Sequence, residues 1–597
     1  MLKPNLECWL ERLARLLCIL LALCVVPCCA VAQSDLRSMP LSYASVRGRV
    51  MNAANNRPLP RTLVRIEGNA ATGALTDGEG RFEIPGIPVG QQMFRLTRPG
   101  FLDRAMNSEG VSSGGDTNGH SVLVAADMPE LVFWLTPASA IRGHVELSTG
   151  DPGDAIPVTL LRRTIDNGRS LWSVNGYTKT NSEGNYHFSA LGAGTYVVYT
   201  SATMDSDGAT TLVDVGSVLT LARSGYPSIY YPAARDLSTA ALIPLRAGDQ
   251  APVNIELPLE PFHTVAAKVV LASGSSERDR SADRGRDSAA DSLPPLQNPD
   301  VTISDSNGHL LPYSGQFDST TETVQANLPD GSFTLTLSAT TRPRSLGTEA
   351  NAVILTGSID LSLDARPLPT LRLPLVPLEP IPVHLHLPPS YERQQQRLRN
   401  SSREPTAPSP ATTFFTSIDG LSESLTFTTL SKTSADTLEI LPVASGSFWA
   451  SSVAGTSGLC IGSFVAGSTD LAREPLVLSP SVSAPSIELT LRDDCASLNL
   501  ELPYFFTVWP GIEPTFTVYI VPDSDSTEVV PSYTLRPSSG GTLSVQNLTP
   551  GSYHVYTFTA PVELEYHNAA AMIALPSQAI TLAPGASSNL ILEVPVR

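Results

Sequence analysis

The stretch at residues 76–90 limits what this chain can fold into more than any other part of the sequence. It reads Thr-Asp-Gly-Glu-Gly-Arg-Phe-Glu-Ile-Pro-Gly-Ile-Pro-Val-Gly. Asp77-Gly78 and Gly80 supply the side-chain acceptor and the positive φ that a tight reversal needs. In the residues that follow, Phe82 and Ile84 alternate with charged side chains and therefore fall on one face of a strand. The stretch predicts a hairpin element of a small β-sandwich.

A second copy of this pattern lies further along the chain. Thr76, Gly80, Phe82, Ile84, Ile87 and Gly90 correspond, at one constant offset, to Thr180, Gly184, Tyr186, Phe188, Leu191 and Gly194. Looser copies that keep an apolar residue, a glycine turn and an aromatic residue lie at 328–333, 441–448 and 548–553. The repetition predicts tandem modules of one kind.

The ends of the modules also share a pattern. An apolar-charged-apolar triplet recurs at 255–257, 371–373, 487–489 and 592–594, and a proline follows it in all but the third. A strand that ends in proline cannot extend its hydrogen-bond ladder, so this pattern marks boundaries. We predict an all-β array of about five β-sandwich modules, called here modules one to five, at 45–137, 138–260, 261–377, 378–491 and 492–597.

Two stretches are predicted to be disordered insertions within this array. Residues 274–299 carry dense mixed charge with few apolar side chains, and residues 390–413 combine charged and glutamine residues with a Ser/Pro-rich tail. Such segments bury too little apolar surface to offset the entropy lost on ordering. The sequence places them in module three and module four as surface loops, with partner-binding segments as the alternative.

The N-terminal 32 residues are typical of an export signal. Lys3, Arg12 and Arg15 precede an apolar run at 16–26, and small residues at 30–32 suit cleavage. The apolar run is short for a membrane span, although a short membrane anchor is the alternative. We therefore expect an exported protein of the periplasm, outer cell surface or extracellular space. We expect no integral membrane segment in its mature chain.

Cysteine usage and charge narrow the class of protein further. Five of the seven cysteines lie in the first 32 residues, which leaves Cys460 and Cys495. In an exported chain these two are compatible with one disulfide, and two unpaired thiols are the alternative. The formal net charge of −18 argues against nucleic-acid binding, which needs clustered basic residues.

Residues 45–100 resemble the carboxypeptidase regulatory-like domain, a transthyretin-like and carbohydrate-binding-like β-sandwich. The resemblance rests on the stretches 46–50, 58–60, 64–66 and 76–90. It implies Ig-like or transthyretin-like modules, and tandem copies behind a signal peptide resemble a class of exported bacterial proteins. In metallocarboxypeptidases this domain accompanies a zinc peptidase domain whose ligands begin with His-x-x-Glu. None of the nine histidines here has glutamate three residues later, so we expect no peptidase and no enzyme.

Several short patterns are candidate catalytic or metal sites with simpler explanations. His384 and His386 would share one face of a strand and suit a metal, but also a solvent-facing polar pair. Residues 110–114 fit Gly-x-Ser-x-Gly without the strand and helix that this motif requires. The acidic residues at 77–79 and 523–525 suit calcium, but also turns. We predict no catalytic residue, no metal site and no cofactor.

Aromatic residues in predicted loops and edges are the candidate ligand-binding groups, because sugar rings stack on aromatic faces. In module two they are Trp172, Tyr177, Tyr226, Tyr230 and Tyr231. A similar group occupies 504–509 in module five, and core packing is the alternative for both groups.

The sequence thus favours a non-catalytic binding or scaffolding protein of the cell envelope with a carbohydrate or envelope-protein partner. The alternatives are a purely structural stalk, which predicts no ligand and a rigid elongated shape, and an enzyme with an unrecognised site. An enzyme would show a deep pocket with converging polar groups.

Overall fold

The structure is a computed structural model, and it describes most of the chain after residue 41. The described residues are 42–67, 73–103, 119–205, 210–215, 218–272, 293–305, 308–341, 353–364, 371–378, 381–390, 393, 412–417, 426–428, 431–432, 437–440, 446–453, 458–478, 485–503, 511–512, 515–523, 530, 532–536, 540–559 and 562–594. Their fold is almost entirely β, arranged as tandem β-sandwich modules, as predicted. The expected signal peptide lies outside the described residues.

Module one is a sandwich of two sheets. Its strands are β1 (Tyr43–Asn52), β2 (Leu63–Ile66), β3 (Gly73–Leu75), β4 (Arg81–Pro88), β5 (Gly90–Thr97), β6 (Phe101–Asp103), β7 (His120–Val124) and β8 (Leu131–Pro137). One sheet has the order β4-β1-β8-β6, and the other contains β3-β2-β5-β7. Alternate residues such as Val46 and Phe94 are fully buried between the sheets.

The turn chemistry predicted for the hairpin is present in both modules that carry its full pattern. The Asp77 carboxylate accepts bonds from the backbone N–H groups two and four residues later, at 2.9 and 2.8 Å. Asn181 accepts the equivalent bonds at 3.1 and 2.8 Å. Gly80 and Gly184 adopt φ of +73° and +74°, the left-handed conformation that favours glycine. The repeat found in the sequence is therefore a repeat of local structure.

Module two has the same plan with longer strands. Its elements, in chain order, are β9 (Ser139–Leu147), β10 (Pro157–Asp166), β11 (Arg169–Lys179), β12 (Asn185–Leu191), β13 (Gly194–Thr200), β14 (Thr203–Met204), β15 (Thr210–Val215), β16 (Val218–Tyr226), β17 (Ile229–Tyr230), a 3-10 helix (Leu237–Thr239), β18 (Ile243–Leu245), β19 (Gln250–Pro252) and β20 (Ile255–Leu257). One sheet has the order β12-β9-β19 with β20 also on β9. The other has the order β11-β10-β13-β17 with β18 also on β13.

The sheet system of module three continues into residues 203–226. Its own strands are β21 (Glu260–Leu271), β22 (Leu296–Ser304), β23 (Gly315–Asp318), β24 (Thr323–Pro329), β25 (Gly331–Thr341), β26 (Val353–Leu363) and β27 (Leu371–Pro377). The main path of this sheet runs β14-β16-β21-β27-β26-β25-β22. Residues 223–225 of β16 pair with residues 260–262 of β21, and this pairing joins the strands of module two to those of module three. Modules two and three are therefore joined by a shared sheet as well as by the chain.

Modules four and five complete the array. Module four contains β28 (Ile381–His386), β29 (Thr412–Ser417), β30 (Thr426–Thr428), β31 (Ser431–Lys432), β32 (Thr437–Ile440), β33 (Gly446–Val453), β34 (Cys460–Ala466), β35 (Thr469–Asp470), β36 (Leu476–Leu478) and β37 (Ile487–Arg492). Module five contains β38 (Ala496–Glu501), β39 (Gly511–Ile512), β40 (Phe516–Pro522), β41 (Tyr533–Leu535), β42 (Thr542–Leu548), β43 (Gly551–Phe558), α1 (Ala569–Met572), β44 (Gln578–Leu582) and β45 (Ser587–Ile591).

In module four the sheet orders are β31-β32-β28-β37-β34-β35 and β30-β29-β33-β36. In module five they are β42-β38-β45 and β41-β40-β43-β44, whereas β39 extends a sheet of module one. Cys460 and Cys495 form a disulfide with a Cα–Cα distance of 5.8 Å, which ties β34 to the segment just before β38. The disulfide therefore fixes the junction between the last two modules.

The limits expected for both insertions are wrong at their C-terminal ends. Leu296 and Gln297 pair with Thr341 and Thr340 in β22, although 274–299 was expected to be disordered. Leu296 packs on the core of module three, and this apolar contact is what a disordered segment lacks. Residues 412–413 likewise belong to β29. Most of both insertions lies outside the described residues.

Within the described part of the chain, no helix is long and apolar enough to cross a membrane.

The close approach at Gly143 gives a test of the module fold. A Cβ at Gly143 would lie 1.8 Å from the Val253 carbonyl oxygen and 2.4 Å from the Tyr186 ring, whereas a Cβ at Gly192 meets nothing within 4 Å. We expect Gly143→Ala to lower the free energy of unfolding of module two by about 1–3 kcal/mol, since a packed core tolerates extra volume poorly. Scanning calorimetry of the full chain should show that the unfolding transition of module two moves to a lower temperature. Gly192→Ala is the control, and equal transitions in the two variants would contradict this packing.

Candidate functional site

Three tyrosines lie in one row across the outer face of a sheet in module two. Tyr177 of β11 pairs with Thr159 of β10, Thr159 pairs with Tyr199 of β13, and Tyr199 pairs with Tyr230 of β17. Residues that pair directly across strands point to the same face. The row therefore carries three phenol rings, with Thr159 between the first two.

The row runs from exposed to buried. Tyr177 is 75% exposed and Tyr230 only 1%, and Tyr199 between them is half-buried. The rings of Tyr199 and Tyr230 have centroids 5.0 Å apart. Tyr230 also belongs to a small apolar cluster that includes Leu161 and Trp172. The buried Tyr230 ring thus packs against Tyr199, and the Tyr177 ring is open to solvent.

A groove of about 630 Å³ lies over the exposed end of the row. Residues 312–314 of module three form one wall of this groove, and the sheet of module two forms the other. The residues lining this tyrosine groove are Pro157, Val158, Thr159, Tyr177, Thr178, Lys179, Tyr199, Ser201, Pro312, Tyr313 and Ser314. Hydroxyl groups, one ammonium group and aromatic rings converge there, and no carboxylate or imidazole is among the lining side chains.

Tyr313 forms the wall from module three, and module two holds it in place. Its phenol oxygen accepts hydrogen bonds from the Arg235 guanidinium and from the backbone N–H of Ser228. Arg235 in turn pairs with Glu260, and the Tyr313 ring packs edge-on against Phe333 at 5.6 Å. Burial raises the pKa of Tyr313 to about 12, although Arg235 opposes that shift. The wall is therefore a fixed, neutral phenol.

Tyr199 is neutral for the same reason. Burial raises its pKa, and a hydrogen bond from the Thr159 hydroxyl partly offsets that effect. Neutral phenols present both a donor and an acceptor to a ligand hydroxyl. The tyrosine groove can thus combine stacking on ring faces with hydrogen bonds to a polar, uncharged ligand.

The structure places the predicted aromatic residues of module two in different environments. Tyr177 is exposed at the groove, but Tyr226 is 7% and Tyr230 1% exposed, as in the core-packing alternative that the sequence left open. Tyr226 packs in the inner core of module two, with Tyr231 partly buried against it. Trp172 is half-buried in the outer cluster because residues 234–240 fold over it. Ligand binding by these residues stays a prediction.

The sequence analysis missed Tyr199 and Tyr313. Tyr199 follows Tyr196, Val197 and Val198 in one strand, and such a run of apolar and aromatic residues is typical of a buried strand. Tyr313 follows Pro312 in a segment without a repeat pattern. A contact between modules leaves no periodic signal in the sequence, and hence nothing pointed to this wall.

The predicted metal and catalytic candidates have ordinary structural roles where they are described. His384 and His386 are both exposed on β28, and Nε2 of His386 lies 2.7 Å from Oε2 of Glu488. Among the described residues, no group of three or more His, Cys, Asp or Glu side chains could hold a metal ion. The Asp77 carboxylate accepts backbone N–H bonds within its own turn. Residues 110–114, 504–509 and 524–525 lie outside the described residues.

A second cavity, of about 540 Å³, lies in module five between the outer face of β43 and residues 566–577. At its polar end, Nδ1 of His554 lies 2.9 Å from Oγ of Ser577, and Nε2 lies 3.0 Å from Oδ1 of Asp523. The side chain of His554 is 37% exposed and that of Asp523 55%. Water therefore solvates this pair, and the ion-pair contact is weak.

The comparison with protein families agrees with the fold of module one. Residues 45–123 match the model of the carboxypeptidase regulatory-like domain, so this part of the chain carries such a domain, as the sequence motifs predicted. The search of curated proteins found no match.

Comparison with solved structures finds matches of low sequence identity. The Bacillus anthracis TIE protein aligns with 8% identity over 94% of this chain and 76% of its own, at a TM-score of 0.15. The minor pilin GBS52 of Streptococcus agalactiae aligns with 12% identity over 37% of this chain and 98% of its own, at a TM-score of 0.20. The shaft pilin SpaA of Lactobacillus rhamnosus GG aligns with 9% identity over 37% and 98%, at 0.18. At such scores nothing about function follows.

The buried phenol of Tyr313 predicts a loss of stability at alkaline pH. Its pKa is about 12 when folded and near 10 when unfolded, so the unfolded chain loses this proton first. The contribution of the protonated Tyr313 phenol to the free energy of unfolding is complete below pH 10 and is lost between pH 10 and 12. Tyr313→Phe has no proton to lose there, so its free energy of unfolding should fall less steeply over this range.

Denaturant unfolding of the full chain at pH 8 and at pH 10.5 measures this difference. At pH 8 the variant should be less stable by about 1–3 kcal/mol, because the bond from the charged Arg235 is gone. Tyr43→Phe removes a phenol that is 60% exposed and serves as the control. Parallel pH profiles for wild type and Tyr313→Phe would show that the wall is not buried as described.

Proposed function

We propose that this chain is an exported, multi-domain binding protein of the cell envelope and that the tyrosine groove binds a neutral polysaccharide. The observation that carries the proposal is the pair of accessible rings, Tyr177 and Tyr199, on one face of the sheet, with Tyr313 opposite them. A sugar ring has an apolar C–H face and a polar rim. An aromatic face covers the first, and groove hydroxyls bind the second.

The charge of the chain favours a neutral polymer. The formal net charge is −18, which repels polyanionic chains, and Lys179 is the one cationic side chain among the groove-lining residues. The groove is also open at the surface rather than closed over a small molecule. An open groove suits a chain that enters and leaves at its ends.

The groove is proposed to bind without cleaving. Glycoside hydrolysis uses a pair of carboxylic acids across the scissile bond, and the lining residues include none. The regulatory-like domain at 45–123 accompanies peptidases as an accessory module, and the His-x-x-Glu pair of their zinc domain is missing from the sequence. Both points support a binding module rather than an enzyme, and export rests on the N-terminal 32 residues.

Removing the exposed ring tests the proposal. The protein comprising residues 33–597 is titrated calorimetrically with a panel of neutral polysaccharides, such as linear glucans, mannans and xylans. We expect saturable binding by at least one, and Tyr177→Ala should weaken it at least tenfold, a loss of about 1.4 kcal/mol. Tyr199→Ala should weaken it as well, and Tyr177→Phe should retain most of it because the ring remains.

Tyr43→Ala is the matched control, because it removes a tyrosine that is 60% exposed in module one. Binding that survives both alanine substitutions in the groove would place the ligand elsewhere. No binding by any member of the panel would end the carbohydrate proposal and favour the structural-stalk or protein-partner alternatives.

A further inference from the structure

The tip of the β10–β11 hairpin in module two touches modules far along the chain. The guanidinium carbon of Arg169 lies 3.6 Å from the ring centroid of Trp449 in module four. The backbone N–H of His567 in module five donates to the Gly168 carbonyl oxygen at 3.1 Å. Nη2 of Arg163 lies 3.4 Å from Oε1 of Glu565. A cation–π contact, a main-chain bond and an ion pair thus meet at one tip.

Gly168 fits this contact because it has no side chain. Its φ is +71°, and a Cβ added there would lie 2.4 Å from the Tyr566 ring. The Tyr566 side chain is half-buried, and burial raises its pKa. Tyr566 therefore lies directly on the backbone of the tip.

Module one makes an independent contact with module five. Gly511 and Ile512 of β39 pair with Leu123 and Val122 of β7, which adds a strand segment to the edge of a module-one sheet. An unpaired edge readily accepts such a strand. Hydrogen bonds therefore link the two ends of the array.

We propose that the hairpin tip, residues 166–169, is an internal docking element that closes the array into a compact body in solution. Its occupant is the segment 565–567 of the same chain, with Trp449 beside it. This excludes an end-to-end stalk. The contact relies on a few side chains at an otherwise polar tip, and small polar interfaces between domains allow relative motion. Docking at the tip is therefore reversible, and a single substitution there releases the tip from module five, although the pairing of β39 with β7 remains.

Small-angle X-ray scattering of residues 33–597 tests closure directly. A single compact body of this length has a radius of gyration of roughly 24 Å, and a row of five modules of about 100 residues has roughly 50 Å. We expect the wild type to lie nearer the first value at the mass of one chain. A value near the second, or a mass that doubles with concentration, would overturn intramolecular closure.

Glycine substitutions separate docking from backbone strain. Gly168→Ala collides with Tyr566, whereas Gly150→Ala has a similar φ of +88° and meets nothing within 4 Å. Both variants bear the cost of a left-handed alanine, but only Gly168→Ala should increase the radius of gyration. The double variant Arg163→Ala/Arg169→Ala leaves the tip backbone intact and should act in the same direction.

Hydrogen exchange gives a readout independent of shape. The amide of His567 should be protected in the wild type and in Gly150→Ala, and should exchange at least tenfold faster in Gly168→Ala. Exchange in the inner strands β9 and β10 reports whether module two is still folded. If Gly168→Ala keeps the wild-type radius and the wild-type protection of His567, the tip is not the docking element.

Discussion

A buried threonine hydroxyl at the start of the hairpin turn holds each of the first two modules together. The Thr76 hydroxyl donates to the Leu59 carbonyl oxygen at 2.6 Å and accepts a backbone N–H bond at 2.8 Å. Thr180 makes the equivalent pair of bonds with the loop around Gly153. A buried hydroxyl must be satisfied, so it ties the turn to a loop that is distant in sequence. The strand that leaves the turn then has one available register, with Phe82 or its counterpart inside.

The candidate site depends on this register. In module two the strand after the turn ends at Leu191, and β13 begins at Gly194. Tyr196 then points into the core, where its hydroxyl bonds to the Gly192 carbonyl oxygen at 2.9 Å. The period of two places Tyr199 on the outer face. A slip of one residue would bury Tyr199 and break the row with Tyr177.

The sequence predicted what local chemistry determines. Patterns within about fifteen residues predicted the turn residues, the period-two strands, the repeated modules and the domain at 45–123. Tyr177 was readable as an exposed aromatic residue. The sequence left Tyr230 open between ligand binding and core packing, because its burial depends on contacts with residues 234–240. Tyr313 was missed because its role depends on Arg235, which lies in another module.

The two ends of one hairpin connect the groove to the rest of the array. Tyr177 and Thr159 stand at one end of the β10–β11 pair, and Gly168 lies at the other. The β10–β11 ladder runs from the groove to the tip with one register shift between Leu160 and Leu161, and it therefore links the direction of the tip to the direction of the groove. Docking of the tip on module five therefore orients the groove as well as closing the array. In the proposed function, the same hairpin residues limit both the shape of the chain and the side from which the proposed polymer ligand approaches.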